Sequence, residues 1–167
     1  MKIRLKSPAK INLFLNVHSR RKDGYHEIYT LFERISLFDE IVLTSLSSGI
    51  KIRPNSPGIP KGPKNLAYKA AKVLKDRFNI KTGVEIRLKK NIPIAAGLGG
   101  GSSNAATVLL GLNKLWKLGM SRDEMIKIGS GLGSDVPFFI LETSFAVGGG
   151  RGELLQAIKL PKKSKIW

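Results

Sequence analysis

Pro93-Ile94-Ala95-Ala96-Gly97-Leu98-Gly99-Gly100-Gly101-Ser102-Ser103-Asn104-Ala105-Ala106 is a glycine-rich stretch that runs directly into an apolar helical pattern. Four glycines in the five positions from Gly97 to Gly101 permit positive φ and leave no Cβ in a ligand's way, so the backbone there can wrap a bulky group. Ser102 and Ser103 stand where the helix is expected to begin, and the uncapped N–H groups of a first helical turn favour an anion, as does the helix dipole. The stretch reads as a phosphate-binding turn, against the plainer alternative of a flexible connection. Pro93 before it and the strong helix after it weigh for the turn. Two well-known phosphate motifs fail. A Walker A loop needs Gly-Lys before Ser or Thr, and no lysine lies between Pro93 and Lys114. A dinucleotide fingerprint opening at Gly97 needs glycine at position 102, where Ser102 stands.

On the N-terminal side, Val84, Ile86 and Leu88 alternate with Glu85, Arg87 and Lys89, a strand that delivers the chain to the turn. On the other side, a helix is expected from about Ser103 to Leu118, apolar nearly all round and therefore buried, which anchors the turn to the core. Ser121-Arg122-Asp123-Glu124 reads as an N-cap with an acidic first turn, and Gly129 to Gly133 ends the helix that follows. Asp135 then precedes Val136-Pro137. It either caps a short helix whose first turn accepts Pro137, or is a carboxylate kept ionised by the helix dipole and able to take a proton. Phe145 to Glu153 reads as strand then loop, and Lys162 to Trp167 as a basic tail.

Further upstream, Leu66, Ala70, Val73, Leu74 and Phe78 recur at helical spacing behind Asn65, a good N-cap residue. Pro54 to Pro63 holds four prolines and two glycines and reads as a loop. Glu40 to Leu46 and Ile50 to Arg53 read as two short strands, preceded by Tyr25-His26-Glu27 and an apolar run to Leu37 after the Asp23-Gly24 turn. Lys2 to Val17 reads as extended. There Ile11, Leu13, Leu15 and Val17 form the apolar set and Lys10 and Asn12 share the other face, where they meet either a ligand or water. Strands alternating with two or three helices make an α+β domain.

The 167 residues, 42% apolar and 25% charged, suffice for one sizeable core. The absence of cysteine excludes disulfides, thiolate metal sites and a cysteine nucleophile. His18 and His26 lack the clustered partners of a zinc site, so no protein metal centre is expected. No apolar run approaches the ~18 residues of a membrane span, and Met1 to Lys6 lacks a signal-peptide core, which reads as a soluble cytoplasmic protein. A net charge of +17 favours polyanionic partners, but the basic residues are dispersed and fit a solvated surface equally well.

Taken together, Ser7-Pro8-Ala9-Lys10-Ile11-Asn12-Leu13, Asp23-Gly24-Tyr25-His26-Glu27, Pro93 to Ala106 and Asp135-Val136-Pro137-Phe138 resemble, in order and spacing, the GHMP small-molecule kinases. The resemblance implies the N-terminal domain fold of that family, a mixed sheet with helices packed on it, like domain 2 of ribosomal protein S5. It implies ATP-dependent phosphorylation, with Mg²⁺, of a hydroxyl on the methylerythritol part of a cytidine-diphosphate substrate. Under it, Asp135 is the base and Lys10 orients the hydroxyl and stabilises charge. Pro93 to Ser103 wraps the ATP phosphates, Asn65 lies near the adenine, and Asn12, Tyr25 and His26 contact the cytidylyl substrate. Members of the family are longer. The resemblance therefore implies an N-terminal ATP-binding domain over residues 1–160 and the start of a truncated or missing C-terminal domain at 161–167, with weak nucleotide affinity and little turnover for the 167 residues alone. Small-molecule nucleotides are the expected partners, with no membrane. The alternatives are another GHMP kinase with a different alcohol, and a basic RNA-binding α+β module. The latter lacks an aromatic-and-basic strand signature and leaves the glycine turn unexplained.

Overall fold

The computed structural model describes residues 1–20, 24 and 26–159. In chain order these form β1 (Lys2–Arg20), β2 (His26–Leu46), β3 (Ile50–Pro54), α1 (Leu66–Arg77), β4 (Gly83–Lys89), α2 (Gly100–Leu115), α3 (Arg122–Leu132), α4 (Val136–Leu141), β5 (Phe145–Gly149) and β6 (Leu154–Ile158). The domain is α+β, as expected.

β2 is the spine of a six-stranded mixed sheet. Along one edge it pairs antiparallel with β1 from Lys2 opposite Thr44 to Arg20 opposite His26. Its other edge is shared: Glu40–Leu46 pair with β4, and Thr30–Glu33 with β5. β3 joins β4 in the one parallel ladder among the described residues, and β6 closes the far side on β5. The sequence expectation of separate segments around Leu37 and Glu40 is corrected by this single 21-residue strand. Asp39, of a residue type depleted in strands, lies inside it. Its carboxylate is fully engaged by neighbouring segments, so the strand carries it without penalty.

The helices cover one face of the sheet. Ile41, Leu43, Val84, Ile86 and Leu88 point into that layer and are buried, while Arg4, Lys6, Arg87 and Lys89 line the opposite, exposed face. Helix α2 lies at the centre, packed on β1, β2, α1, α3 and α4, which is why its sequence is apolar nearly all round. It approaches the sheet tightly at Gly111, where a Cβ would fall 2.5 Å from Leu43 Cδ1 and 2.6 Å from Leu5 Cδ1. The expected start of this helix at Ser103 is corrected to Gly100, and its expected end at Leu118 to Leu115. Gly99 at φ 67° supplies a left-handed entry that only glycine takes without strain, so the helix begins inside the glycine run.

Two caps behave as their chemistry dictates. Asn65 Oδ1 accepts the Ala67 N–H at 2.9 Å at the start of α1, and Ser121 with Glu124 forms a reciprocal capping box on α3. The expectation of an inward apolar face on the distal part of β1 is not met. Leu15 and Val17 are exposed, as is every residue from Phe14 to Arg20, because both faces of the distal hairpin lie beyond the packed core. Phe14 and Tyr29 instead stack edge to face across the hairpin, ring centroids 6.1 Å apart. β6 was not anticipated from the sequence; it begins immediately after the stretch read as a loop.

Gly111→Val gains no helix stability that could offset the clash with Leu5 and Leu43. It is expected to cost about 1–3 kcal/mol, seen as a lower urea midpoint at unchanged m-value. On the outer sheet face, hydrogen bonds from Arg87 and Arg53 hold the Glu85 carboxyl below its ordinary range. A depressed folded-state value contributes stability that is present above the unfolded carboxyl pKa of about 4.3 and is lost as pH falls through the folded one. Glu85→Gln should therefore flatten the decline of thermal stability on the acid side and lower stability at neutral pH. A pH series of melting curves reads both.

Candidate active site

The glycine turn leaves β4 through Lys90, Asn91 and Ile92 and enters α2 at Gly99. Pro93 to Gly97 are exposed, and Ala95, Gly97 and Gly99 all have positive φ, at 58°, 73° and 67°. An alanine held in the left-handed region marks local strain of the kind that persists where surrounding structure dictates it. The first intrahelical bond of α2 runs from Ser103 N–H to Gly99 O at 2.8 Å, and among the described residues no side chain caps the helix. The amides of Gly100, Gly101 and Ser102 thus open the helix without a side-chain acceptor, at the positive end of a 16-residue dipole.

One side of this turn faces a cleft of about 380 Å³. Its walls are the turn from Pro93 to Ser102, the proline loop at Gly58–Pro60, and Asn65, Leu66, Lys64 and Lys90. Of the residues expected at a nucleotide site, Asn65 and Pro93 to Ser102 therefore meet around one cavity. Asn65 is also structural: besides capping α1, its amide nitrogen donates to the Pro60 carbonyl at 2.8 Å, fixing the cleft's far wall. Ser103 does not reach the cleft. Its side chain is buried, its hydroxyl lies 2.8 Å from Ser7 Oγ, and its N–H is used within the helix.

The other side of the turn carries Lys10 and Asp135. The Lys10 N–H donates to the Leu98 carbonyl at 3.0 Å, and a Cβ on Gly99 would fall 3.1 Å from Lys10 Cγ and 3.0 Å from the Phe139 ring. Glycine at position 99 is thus required both by its φ and by the close approach of Lys10 and α4. Lys10 is 6% exposed. Its ammonium donates to Asn12 Oδ1 at 2.7 Å and lies 3.4 Å from Asp135 Oδ2 and 5.3 Å from the centre of the Phe32 ring. Asn12 in turn donates to Thr30 Oγ1 at 2.7 Å, and the buried Thr30 donates to the Phe14 carbonyl, so each donor in the chain from Thr30 to Lys10 has one acceptor. Asp135 stands at the N-terminus of α4 but makes no capping hydrogen bond, so of the two readings open from sequence, the capping one is not what the structure contains. Its carboxylate, about a quarter exposed, is left for Lys10 and for whatever enters from solvent. The helix is tied down from below by Arg34, the cross-strand partner of Lys10, whose Nη2 donates to the Phe139 carbonyl at 3.3 Å. Burial lowers the Arg34 pKa, opposed by the Glu142 carboxylate.

His26 begins β2 at the distal end of the β1–β2 hairpin, exposed and opposite Arg20, four residues beyond Thr30. At about 3.3 Å per residue that is roughly 13 Å further along the strand. Tyr25 lies outside the described residues.

A buried polar cluster behind the turn was missed from sequence. Asp39, fully buried, accepts the N–H groups of Asn91 at 2.7 Å and Ile92 at 2.9 Å on one oxygen, and the Lys90 ammonium and Asn104 Nδ2 on the other. Asn104 Oδ1 accepts from Lys90 at 3.0 Å, and its amide nitrogen also donates to Ser7 Oγ at 2.9 Å. The available signals were an amide inside an apolar helix and a lone carboxylate inside a strand.

The family model described as the GHMP kinases N terminal domain matches residues 65–143. The chain is 49% identical over 162 residues to 4-diphosphocytidyl-2-C-methyl-D-erythritol kinase of Exiguobacterium sibiricum, covering 96% of this chain and 56% of that protein. Identity and coverage are the same for the Bacillus cereus strain B4264 protein of that name. The crystal structure of 4-(cytidine 5'-diphospho)-2C-methyl-D-erythritol kinase superposes with a TM-score of 0.81 at 43% identity, over 95% of this chain and 56% of that one. A mevalonate kinase, at 18% identity and TM-score 0.73, shares the fold. The chain thus spans 56% of the length of these relatives. Over residues 65–143 the chain is similar to the N-terminal domain of the GHMP kinases, and over nearly its whole length to the N-terminal part of these relatives.

Proposed function

We propose that these residues form the nucleotide-binding part of a kinase that transfers the terminal phosphoryl group of ATP to a hydroxyl of 4-diphosphocytidyl-2-C-methyl-D-erythritol, in non-mevalonate isoprenoid precursor synthesis. The observation that carries this reading is the Lys10–Asp135 pair, 3.4 Å apart and set directly against the glycine turn. The 49% identity to kinases of that name supports the choice of alcohol. Residues 1–160 are taken as the ATP-binding domain and 161–167, outside the described residues, as the start of a second one, in keeping with the relatives' greater length. The reaction is placed in the cytoplasm with small-molecule nucleotides as partners. Among the described residues no helix is long and apolar enough to cross a membrane.

The cleft suits a nucleotide: uncommitted amides at the head of α2 for phosphate oxygens, Lys64 and Lys90 at its rim, and Asn65 for the base end. Among the described residues no three carboxylate, histidine or cysteine groups cluster as a metal cage. Mg²⁺ would accompany the nucleotide and would need no protein cage. Bound there, Mg²⁺ supplies neutralisation of phosphate charge. Asp135 takes the hydroxyl proton as the substrate oxygen bonds to phosphorus and the bond to the departing ADP oxygen breaks. Lys10, oriented by Asn12, stabilises the charge on the transferred group. Asn12, Tyr25 and His26 are assigned to the cytidylyl substrate.

The 167 residues alone are expected to bind ATP with Mg²⁺ weakly, as a low-affinity isotherm in a calorimetric titration at millimolar nucleotide. In the longest natural chain that contains these residues, Asp135→Asn should leave the ATP Kd within about threefold while ADP release falls by about 10²–10⁴-fold. Unchanged turnover would remove Asp135 from the base role, and mevalonate or homoserine serving as the better acceptor would overturn the assigned alcohol.

A further inference from the structure

The glycine turn has two anchors, and both end on the same carboxylate. Asn91 and Ile92, immediately before Pro93, give their N–H groups to Asp39 Oδ1 at 2.7 and 2.9 Å. Asn104, in the second turn of α2, gives its amide hydrogen to Asp39 Oδ2 at 2.8 Å. Lys90 bridges the two anchors by donating to both Asp39 and Asn104. Ser7 extends the tie to β1, accepting from Asn104 at 2.9 Å and lying 2.8 Å from Ser103 Oγ. Asp39 is completely buried and Asn104 is 4% exposed. In so dry a setting each of these bonds is electrostatically strong, and removing one partner strands another.

We propose that Asp39 is a positioning residue for the phosphate turn: by holding Asn91–Ile92 and Asn104 on one carboxylate, it sets the separation of the turn's two ends and hence the aim of the Gly100, Gly101 and Ser102 amides. The proposal rests on the nucleotide reading of the cleft. Asp39 is fully buried and does not line the cleft, whereas Asn104 reaches the cleft wall. A buried carboxylate serving stability alone would leave the relative affinities of ligands unaltered once the protein is folded. One that sets the turn acts selectively on ligands that carry phosphates.

The test compares ATP, ADP and adenosine binding by calorimetry for the unaltered chain, Asp39→Asn and Asn104→Ala, each at a temperature where circular dichroism shows it folded. Asn104→Ala keeps both amide bonds to Asp39 but also removes a cleft-lining side chain, so Ser7→Ala, which loosens the same cluster from outside the cleft, is measured beside it and serves if Asp39→Asn does not fold. The expected result is an ATP affinity lowered about tenfold or more, with adenosine affinity unchanged within twofold. An equal loss for ATP and adenosine, or no loss for either in a folded variant, would overturn the positioning role while leaving the nucleotide reading intact. No ATP binding by the unaltered chain would overturn both.

Discussion

The structure turns on one buried charge. A carboxylate without water must have its lone pairs filled by donors, and Asp39 has four of them, from Lys90, Asn91, Ile92 and Asn104. Those donors come from the end of β4 and from α2, while the carboxylate comes from the middle of β2. Satisfying Asp39 therefore fixes how the strand that leads into the glycine turn and the helix that leaves it meet the sheet. The apolar packing of α2 on Leu5 and Leu43 sets how closely the helix approaches, and the polar cluster sets its register.

On that frame the turn separates two chemical environments. Towards the proline loop lies a cleft with donors and cations at its rim and apolar Ile59, Leu66 and Leu88 within. Towards β1 and α4 lies a nearly dry ammonium beside a carboxylate that faces solvent. The absence of a side-chain cap on α2 and the absence of a capping bond on Asp135 belong together. In both places a helix start that could have satisfied itself internally is left open to something outside.

Much of this was legible in the sequence where the physics is local. Asn65 and Ser121 announced their caps, the period of two placed Lys10 and Asn12 on one face, and the glycine run with its apolar continuation announced a turn anchored to a buried helix. What depends on tertiary context was not. Nothing in spacing brings Asp135 to Lys10; only the family resemblance pointed there. Asp39 carried no signal of its partners in the sequence because its donors lie some fifty residues away. The glycine positions were read as loop because Gly100 and Gly101 are poor helix formers, and the buried remainder of α2 overrides that local preference. The distal half of β1 is not core-facing because both of its faces lie beyond the packed core, which no local pattern reveals.

The register shift between Pro8 and Lys10 has an effect of its own. β1 pairs with β2 along one edge, and on its other edge the Lys10 N–H is taken by the Leu98 carbonyl. An open strand edge, ordinarily a surface for unwanted pairing, here acts as a rail on which the phosphate turn is docked. The residue that supplies this rail also carries the ammonium of the site. Any excursion that lifts the turn off the sheet must break a bond at Lys10, so opening the turn and disturbing the ammonium are a single mechanical event.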